Sequence, residues 1–498
     1  MLVALLLPLN LLSIRRFHHD EALYATWALA ISSGQNPWLV EVPVDKPPLF
    51  IYTVAGAFWL LGPGEVAARL PSLLATVAMV GLTFALGRRL YGAGVGLVAA
   101  WLVALSPFTI AFAPTALTDP MLVAWGLAAC LAAASGQAVW AGLAWGLAIG
   151  TKQQGLFFGP LIAGLLILFS AEGSFSRQEA KVHFGLLSGK LLNFGVAVAV
   201  TILPTLLWDL ARHQSPGVWQ LSLINYGGLS PETMSPAERL WGFLDLLALG
   251  TSSKFLNIGF LAGLPLLLIY SGWQIWKNGR VSLSSGFGSA KSGGADWLLT
   301  LFVVSFLVGH SLLSFQVWDR YLLGLIPLLV LLLARVLVLP ALLLRWGRPN
   351  LPPLMAWLGG VALVVLLGLT LSRPVSDAVN GRYPLGSNSA ALSGLEQITA
   401  YLQGHAGANT TLYHRWLGTH WRFYLWGYPY DLQYWASSQA LAAKARPGHL
   451  IAFPAWRSET EARLALAAVG LRLTKLTQSY TAAGYPSITL YRIDLIEP

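Results

Sequence analysis

The chain has 498 residues, of which 56% are hydrophobic and only 10% charged, with a mean hydropathy of +0.62. A soluble helical bundle of this size needs a far larger charged surface, so the composition excludes it and points to a polytopic membrane protein. The formal charge of +10 and pI near 9.7 fit loops facing anionic lipid rather than nucleic acid, and the single cysteine, Cys130, excludes an internal disulfide or a thiolate metal cluster.

Apolar runs at 2–14, 67–87, 92–112, 119–135, 138–151, 155–170, 190–208, 256–276, 297–315, 321–344 and 354–372 predict roughly eleven spans against the ~20 residues needed to cross a hydrocarbon core. The first run is short and lacks the basic start and small-residue cleavage site of a signal peptide, so it reads as part of a helix whose beginning is missing. Between it and the second run, the external loop 15–66 carries "EALYATWALAI" and "PPLFIYTVAGAFWLL", which predict helices lying on the membrane surface. A second polar loop covers 209–255, and the low-complexity stretch 277–296 predicts a flexible linker.

From about 374 the charge density becomes ordinary. Short β-like runs ("TLYHRWL", "HLIAFPA", "ITLYRIDL") alternate there with helical ones ("GLEQITAYLQ", "SETEARLALAAVG"), predicting a small α/β domain over 374–498 behind a membrane domain over 1–373. Asn409-Thr410-Thr411 matches a glycosylation sequon, a triplet common by chance. The spans sort the loops into two sets. Basic residues divide almost evenly between them, leaning towards Arg88 and Arg89 inside. Acids concentrate on the side of the first long loop, with Glu172, Glu179 and Asp296 on the other as far as residue 319.

That acidic side opens with "FHHDEALYA", residues 17–25, which sets His18 and His19 beside Asp20 and Glu21. A carboxylate beside a bilayer is costly unless solvated or paired, which makes Asp20 and Glu21 candidate catalytic groups; the plainer alternative is that Asp20 N-caps a helix. His18 and His19 are weak candidate ligands for a divalent metal. In "VDKPPLFIY", Lys46 is placed either to meet a phosphate as a point charge or to snorkel to lipid headgroups. Asp119 begins a span in "TALTDPML", Lys152 lies between two apolar runs in "GTKQQG", and "QVWDRYLLGLIP" offers Asp319, Arg320 and Tyr321. By loop parity Asp20, Glu21, Lys46, Arg69, Asp119, Lys152 and Arg320 share one side, a set of acids among phosphate-capable cations.

The strings "HHDEALYA", "DKPPLFIY", "ARLPSLLATV", "TDPMLVAW", "GLAWGLAIGTKQQG" and "DRYLLGLIPLL" occur in an order and spacing that resembles the GT-C glycosyltransferases. Within them the chain is most similar to the branch of protein O-mannosyltransferases and lipid A aminoarabinose transferases. The resemblance is dense over 17–160, weaker at 319–330 and without specific motifs in the C-terminal domain. It implies a polyprenyl- or dolichyl-phosphate-sugar donor used on the extracytoplasmic face, with a protein, lipid or glycan as acceptor and no nucleic-acid partner. It also implies Asp20 as catalytic carboxylate with Glu21 as companion, Lys46 on the lipid phosphate and Asp119 as a second acid. Lys152 matches a family lysine, although Gln153 replaces the glycine that usually follows it. On chemical grounds Arg320 joins Lys46 as a cation for the departing phosphate, with Lys152 and Arg69 as further candidates.

A transporter or lipid flippase is the competing expectation from another class. Such proteins carry internal repeats and charged or broken spans at mid-membrane, whereas here the charges lie near span ends and no repeat is visible.

Overall fold

The computed structural model describes residues 1–14, 16–40, 42–170, 177–212, 216–225, 234–278, 290–313, 315–347, 353–384, 392–405, 407, 410–481 and 483–496. Glu172, the sequon residue Asn409 and most of the expected linker lie outside them. Six described helices are long and apolar enough to cross a membrane: Glu65–Tyr91, Gln153–Ser170, Ser188–Ala211, Lys254–Lys277, Lys291–Leu312 and Leu358–Val379.

The other expected spans fall on shorter or interrupted helices. Run 2–14 divides into Leu2–Leu6 and Leu11–Ile14 around Pro8, and run 92–112 into Ala93–Leu105 and Pro107–Phe112. In both places proline lacks the N–H that would continue the helix. The expected linker is narrower than 277–296, because helices Lys254–Asn278 and Ala290–Leu312 take up its two ends. The expected boundary at 374 lies inside helix Pro353–Val379.

Seven helices position the site. They are α1 (His19–Ser32) and α2 (Pro48–Leu61) in the first long loop, α3 (Glu65–Tyr91), α4 (Asp119–Ala134), α5 (Ala138–Thr151), α6 (Ala290–Leu312) and α7 (Ile326–Gly347). Helix α5 lies tightly along helix Arg177–Ala211. A Cβ on Gly142 would stand 2.4 Å from the Phe194 carbonyl oxygen, and one on Gly146 would stand 2.5 Å from Cβ of Thr201. Glycines four residues apart share one helix face, so the two backbones can approach closely.

The C-terminal domain is a five-stranded sheet in the order β2-β1-β3-β5-β4. Its strands are β1 (Thr410–His414), β2 (Tyr430–Tyr434), β3 (Leu450–Pro454), β4 (Leu471–Tyr480) and β5 (Pro486–Leu495). Strand β1 runs parallel to β2 and β3, and β5 runs antiparallel to β3 and β4. Helices α8 (Leu395–Gly404) and α9 (Gly418–Tyr424) cover one face, burying Leu395, Leu402 and Trp421 against Leu412 and Leu450. Helices α10 (Ser438–Lys444) and α11 (Thr460–Ala467) cover the other, burying Leu441 and Leu466 against Tyr413 and Ile451. The three expected β-like runs became β1, β3 and β5, while β2 was hidden by its polar sequence "YDLQY" and half-exposed position.

The sheet domain is seated on α1 through α9. Thr26 donates its hydroxyl to the Thr419 carbonyl at 3.1 Å, a ring nitrogen of His420 lies 3.0 Å from the Phe17 carbonyl, and the Phe17 and Phe423 rings meet edge-on at 5.0 Å.

Candidate functional site

The first turn of α1 is held by a capping box. His18 is the N-cap, and its Nδ1 accepts the Asp20 backbone N–H at 3.3 Å while the Glu21 carboxylate accepts the His18 N–H at 2.7 Å. Asp20 is therefore not the cap, contrary to the simpler sequence expectation. Its side chain stays about one-quarter exposed and forms an ion pair with Arg320. Arg320 lies in the tight turn Asp319–Leu322 ahead of α7, with its guanidinium 4.3 Å from the Trp318 ring centroid and 5.8 Å from that of Tyr321.

Lys46 precedes the Pro47-Pro48 pair that starts α2. It is buried, with Nζ 2.8 Å from the Asp45 carboxylate. Asp45 ties this loop to two other segments: Asn225 donates to its carboxylate and Gln153 to its carbonyl, each at 2.8 Å. Gln153, at the position where the family glycine is missing, thus fastens the end of α5 to the Lys46 loop. Beside it, the buried Lys152 reaches Asp119 at the start of α4, 2.6 Å away, and its ammonium lies 5.0 Å from the Tyr321 ring centroid. A cavity lined by Asp119, Gln154, Phe158, Phe306, Arg320 and Tyr321 opens next to this group.

Charge coupling gives these groups unusual proton affinities. Burial alone would raise the Asp20 pKa, but the charge and hydrogen bond of Arg320, aided by His18 and Lys46, outweigh it and hold the carboxyl below its usual range. Burial pushes the Lys46 ammonium below its usual value, with Arg320 adding to the push and Asp45 opposing it. Burial likewise lowers His18, which keeps its imidazole neutral and able to accept the Asp20 N–H.

Two expected site residues are placed elsewhere. Glu21, expected as companion to Asp20, is 1% exposed and has both oxygens occupied. Oε1 accepts from Arg69 Nε at 3.1 Å and from the Ala116 N–H at 2.7 Å, and Oε2 from the His18 N–H at 2.7 Å and Arg69 Nη2 at 3.3 Å. Arg69, expected on the lipid phosphate, is as deeply buried and also donates to the Leu12 carbonyl at 2.7 Å. The pair joins α1 to α3, and both side chains are about 1% exposed.

The Nδ1 of His18 is engaged by the Asp20 N–H, and among the described residues there is no group of three or more His, Cys, Asp or Glu able to hold an ion.

Sequence reasoning missed the clamp beneath Lys46. Arg212 is buried and donates to the carbonyls of Leu39, at 3.0 Å, and Val42, gripping the backbone that leads to Lys46. A contact spanning some 170 residues leaves no local signal. Asp45 was legible as the neighbour of Lys46 in "VDK" but was not singled out.

Residues 45–208 match the family model described as dolichyl-phosphate-mannose-protein mannosyltransferase. That segment contains Lys46, Arg69, Asp119 and Lys152, while Asp20 and Arg320 lie outside it. A search of curated proteins finds no significant match. Among solved structures, the crystal structure of ArnT from Cupriavidus metallidurans bound to undecaprenyl phosphate superposes with a TM-score of 0.64 at 16% identity, over 98% of this chain and 96% of that one. Its apo form gives the same values. The archaeal oligosaccharyltransferase AglB from Archaeoglobus fulgidus, in complex with an inhibitory peptide and a dolichol-phosphate, is more distant, with a TM-score of 0.49 at 13% identity over 86% of this chain and 63% of that one. The segment carrying Lys46 to Lys152 is thus similar to the dolichyl-phosphate-mannose-protein mannosyltransferases, and the fold is ArnT-like over nearly the whole length.

Proposed function

We propose that this protein moves a sugar from a polyprenyl-phosphate donor onto an extracytoplasmic acceptor, in one displacement that inverts the anomeric carbon. The observation that carries the reading is the Asp20–Arg320 ion pair, with Lys46 of the Lys46–Asp45 pair and Lys152 of the Lys152–Asp119 pair both close enough to feel the Arg320 charge. Four separate stretches of chain contribute a carboxylate able to accept a proton and cations able to accept a phosphate.

The reaction needs little more. A sugar on a lipid phosphate already has a good leaving group, so a strong general acid is unnecessary. The acceptor oxygen or nitrogen attacks the anomeric carbon, the bond from that carbon to the phosphate oxygen breaks, and the acceptor proton passes to Asp20. Polyprenyl phosphate departs with the bond's electron pair, its charge met by Arg320 and Lys46. In the resting pair Arg320 blunts the basicity of Asp20; an arriving donor phosphate competes for the guanidinium and releases the carboxylate at the moment a base is required.

The reading is tested with the authentic donor and acceptor, identified by mass spectrometry of the polyprenyl-phosphate-sugar that co-purifies. Asp20→Asn should then retain donor binding and lose transfer. Near-normal turnover by that variant removes Asp20 from the chemistry.

A further inference from the structure

The C-terminal domain contains a second polar crevice, remote in sequence from the residues just described. The loop after β1 leads to α9 on one face of the sheet, whereas the loop after β3 leads to α11 on the other. Strands β1 and β3 are parallel neighbours, so their carboxyl ends form a topological switch point, where open α/β sheets characteristically bind ligands.

The two diverging loops carry complementary chemistry. Arg415 and Trp416 follow β1, and Trp456, Arg457 and Ser458 follow β3. The Arg457 guanidinium lies 5.6 Å from the Trp416 ring centroid; that of Arg415 lies 5.5 Å from Trp416 and 5.1 Å from Trp435. Trp416 and Trp435 in turn rest on Phe453 at 6.0 and 6.1 Å. Both arginines are exposed, and among the described residues neither guanidinium has a carboxylate or hydrogen-bond partner. Aromatic faces orient a guanidinium without neutralising it, and its N–H edges stay open to an anion. From Arg415 a groove of about 870 Å³ runs between α10 and α11, past Ser437, Ser438, Gln439 and Glu461.

We propose that this crevice binds an acidic saccharide. Arg415 and Arg457 take its carboxylate or phosphate, the half-exposed face of Trp456 takes the C–H face of a sugar ring, and the Ser437–Gln439 rim takes hydroxyls. The anion site stands on the geometry alone; that its saccharide is the acceptor rests on the glycosyltransferase reading. The loop that carries Arg415 and Trp416 runs directly into α9, which is seated on α1, so an occupied crevice is joined through one short helix to the segment bearing Asp20.

Calorimetry on the purified full-length protein in detergent tests this with trigalacturonate, maltotriose and inorganic phosphate as probes. Trigalacturonate should bind, maltotriose and phosphate should each bind at least about tenfold more weakly, and the double variant Arg415→Gln/Arg457→Gln should lose about tenfold or more of the trigalacturonate affinity. Undecaprenyl phosphate binding, measured on the same samples, should be equal in wild type and variant, which shows that the variant is folded. No trigalacturonate binding by the wild type, equal binding by the variant, or phosphate binding as tight as trigalacturonate overturns the proposal. Absence of undecaprenyl phosphate binding by the wild type counts against the glycosyltransferase reading and leaves the saccharide site standing.

Discussion

Asp20 and Glu21 are adjacent in sequence and opposite in circumstance. Glu21 is sealed under Arg69 with both oxygens hydrogen-bonded, while Asp20 keeps one-quarter of its side chain open beside Arg320. Replacing each by its amide should therefore give opposite results. Asp20→Asn removes no cap, since His18 performs that task, and its lost partner Arg320 is less buried than Arg69; its thermal stability in detergent should fall much less than that of Glu21→Gln while transfer falls ~10²–10⁴-fold, the range for a positioned acid–base group. Glu21→Gln leaves Arg69 buried without its counter-charge and should cost about 3–5 kcal/mol of stability, with any loss of activity tracking loss of folded protein. The acid limb of the pH–rate profile adds a separate check. Asp20 must be ionised to act as a base and Arg320 holds its pKa below the usual value in the free enzyme, so wild-type kcat/KM should persist through the ordinary carboxylate range as pH falls. In Arg320→Gln the depressing charge is gone and the acid limb should move to higher pH; an unmoved limb would mean that another group titrates there.

At the level of elements, the site depends on how α9 meets α1. The Tyr424 hydroxyl accepts the Phe17 N–H at 3.2 Å and donates to Glu65, which also pairs with Arg16 at 3.1 Å. Tyr424→Phe leaves the Phe17 N–H and the Glu65 carboxylate short of a partner just ahead of α1, at a cost of about 1–3 kcal/mol. Its expected signature is a lowered kcat with little change in donor KM, because the phosphate cations are untouched while the turn that presents Asp20 loosens; a pure rise in donor KM would contradict that assignment. This seat was illegible beforehand, since it joins residues about 400 positions apart. Residues with a strong local signature were easier to place: "DEALYATWALAI" and "KPPLFIY" read directly as α1 and α2 because proline and acidic first turns mark helix starts. Loop parity collected Asp20, Lys46, Asp119, Lys152 and Arg320 together with Glu21 and Arg69, because parity reports a side and says nothing about which neighbour a side chain faces. The same blindness made the opposite side look plain. There Asp296 and Arg335, both buried, form a 2.8 Å ion pair between α6 and α7, with the Ser271 hydroxyl donating to Asp296 at 2.6 Å.

At the scale of the whole molecule, these contacts constrain orientation. The sheet domain touches α1 through α9, and the start of α1 touches the turn before α7 through Asp20 and Arg320. The domain and the site must therefore share one side of any membrane the long helices cross. The residues between helices Lys254–Asn278 and Ala290–Leu312 belong to the other side if each of those helices crosses once, as their lengths of 25 and 23 residues allow at 1.5 Å per residue. The extracytoplasmic acceptor proposed above requires the site to face outward. A cysteine-free background, made by Cys130→Ser, permits the test: single cysteines introduced after Pro498 and within 277–296 are probed in intact cells with a membrane-impermeant maleimide. The C-terminal cysteine should label in intact cells, and the cysteine within 277–296 should label only after the membrane is opened. If the pattern is reversed, with 277–296 reached from outside and the C-terminus protected, Asp20 faces the cytoplasm and the extracytoplasmic acceptor is wrong, although the Asp20–Arg320 chemistry would survive. If both cysteines label from outside, the two helices do not cross as a pair and the shared-side argument loses its second half.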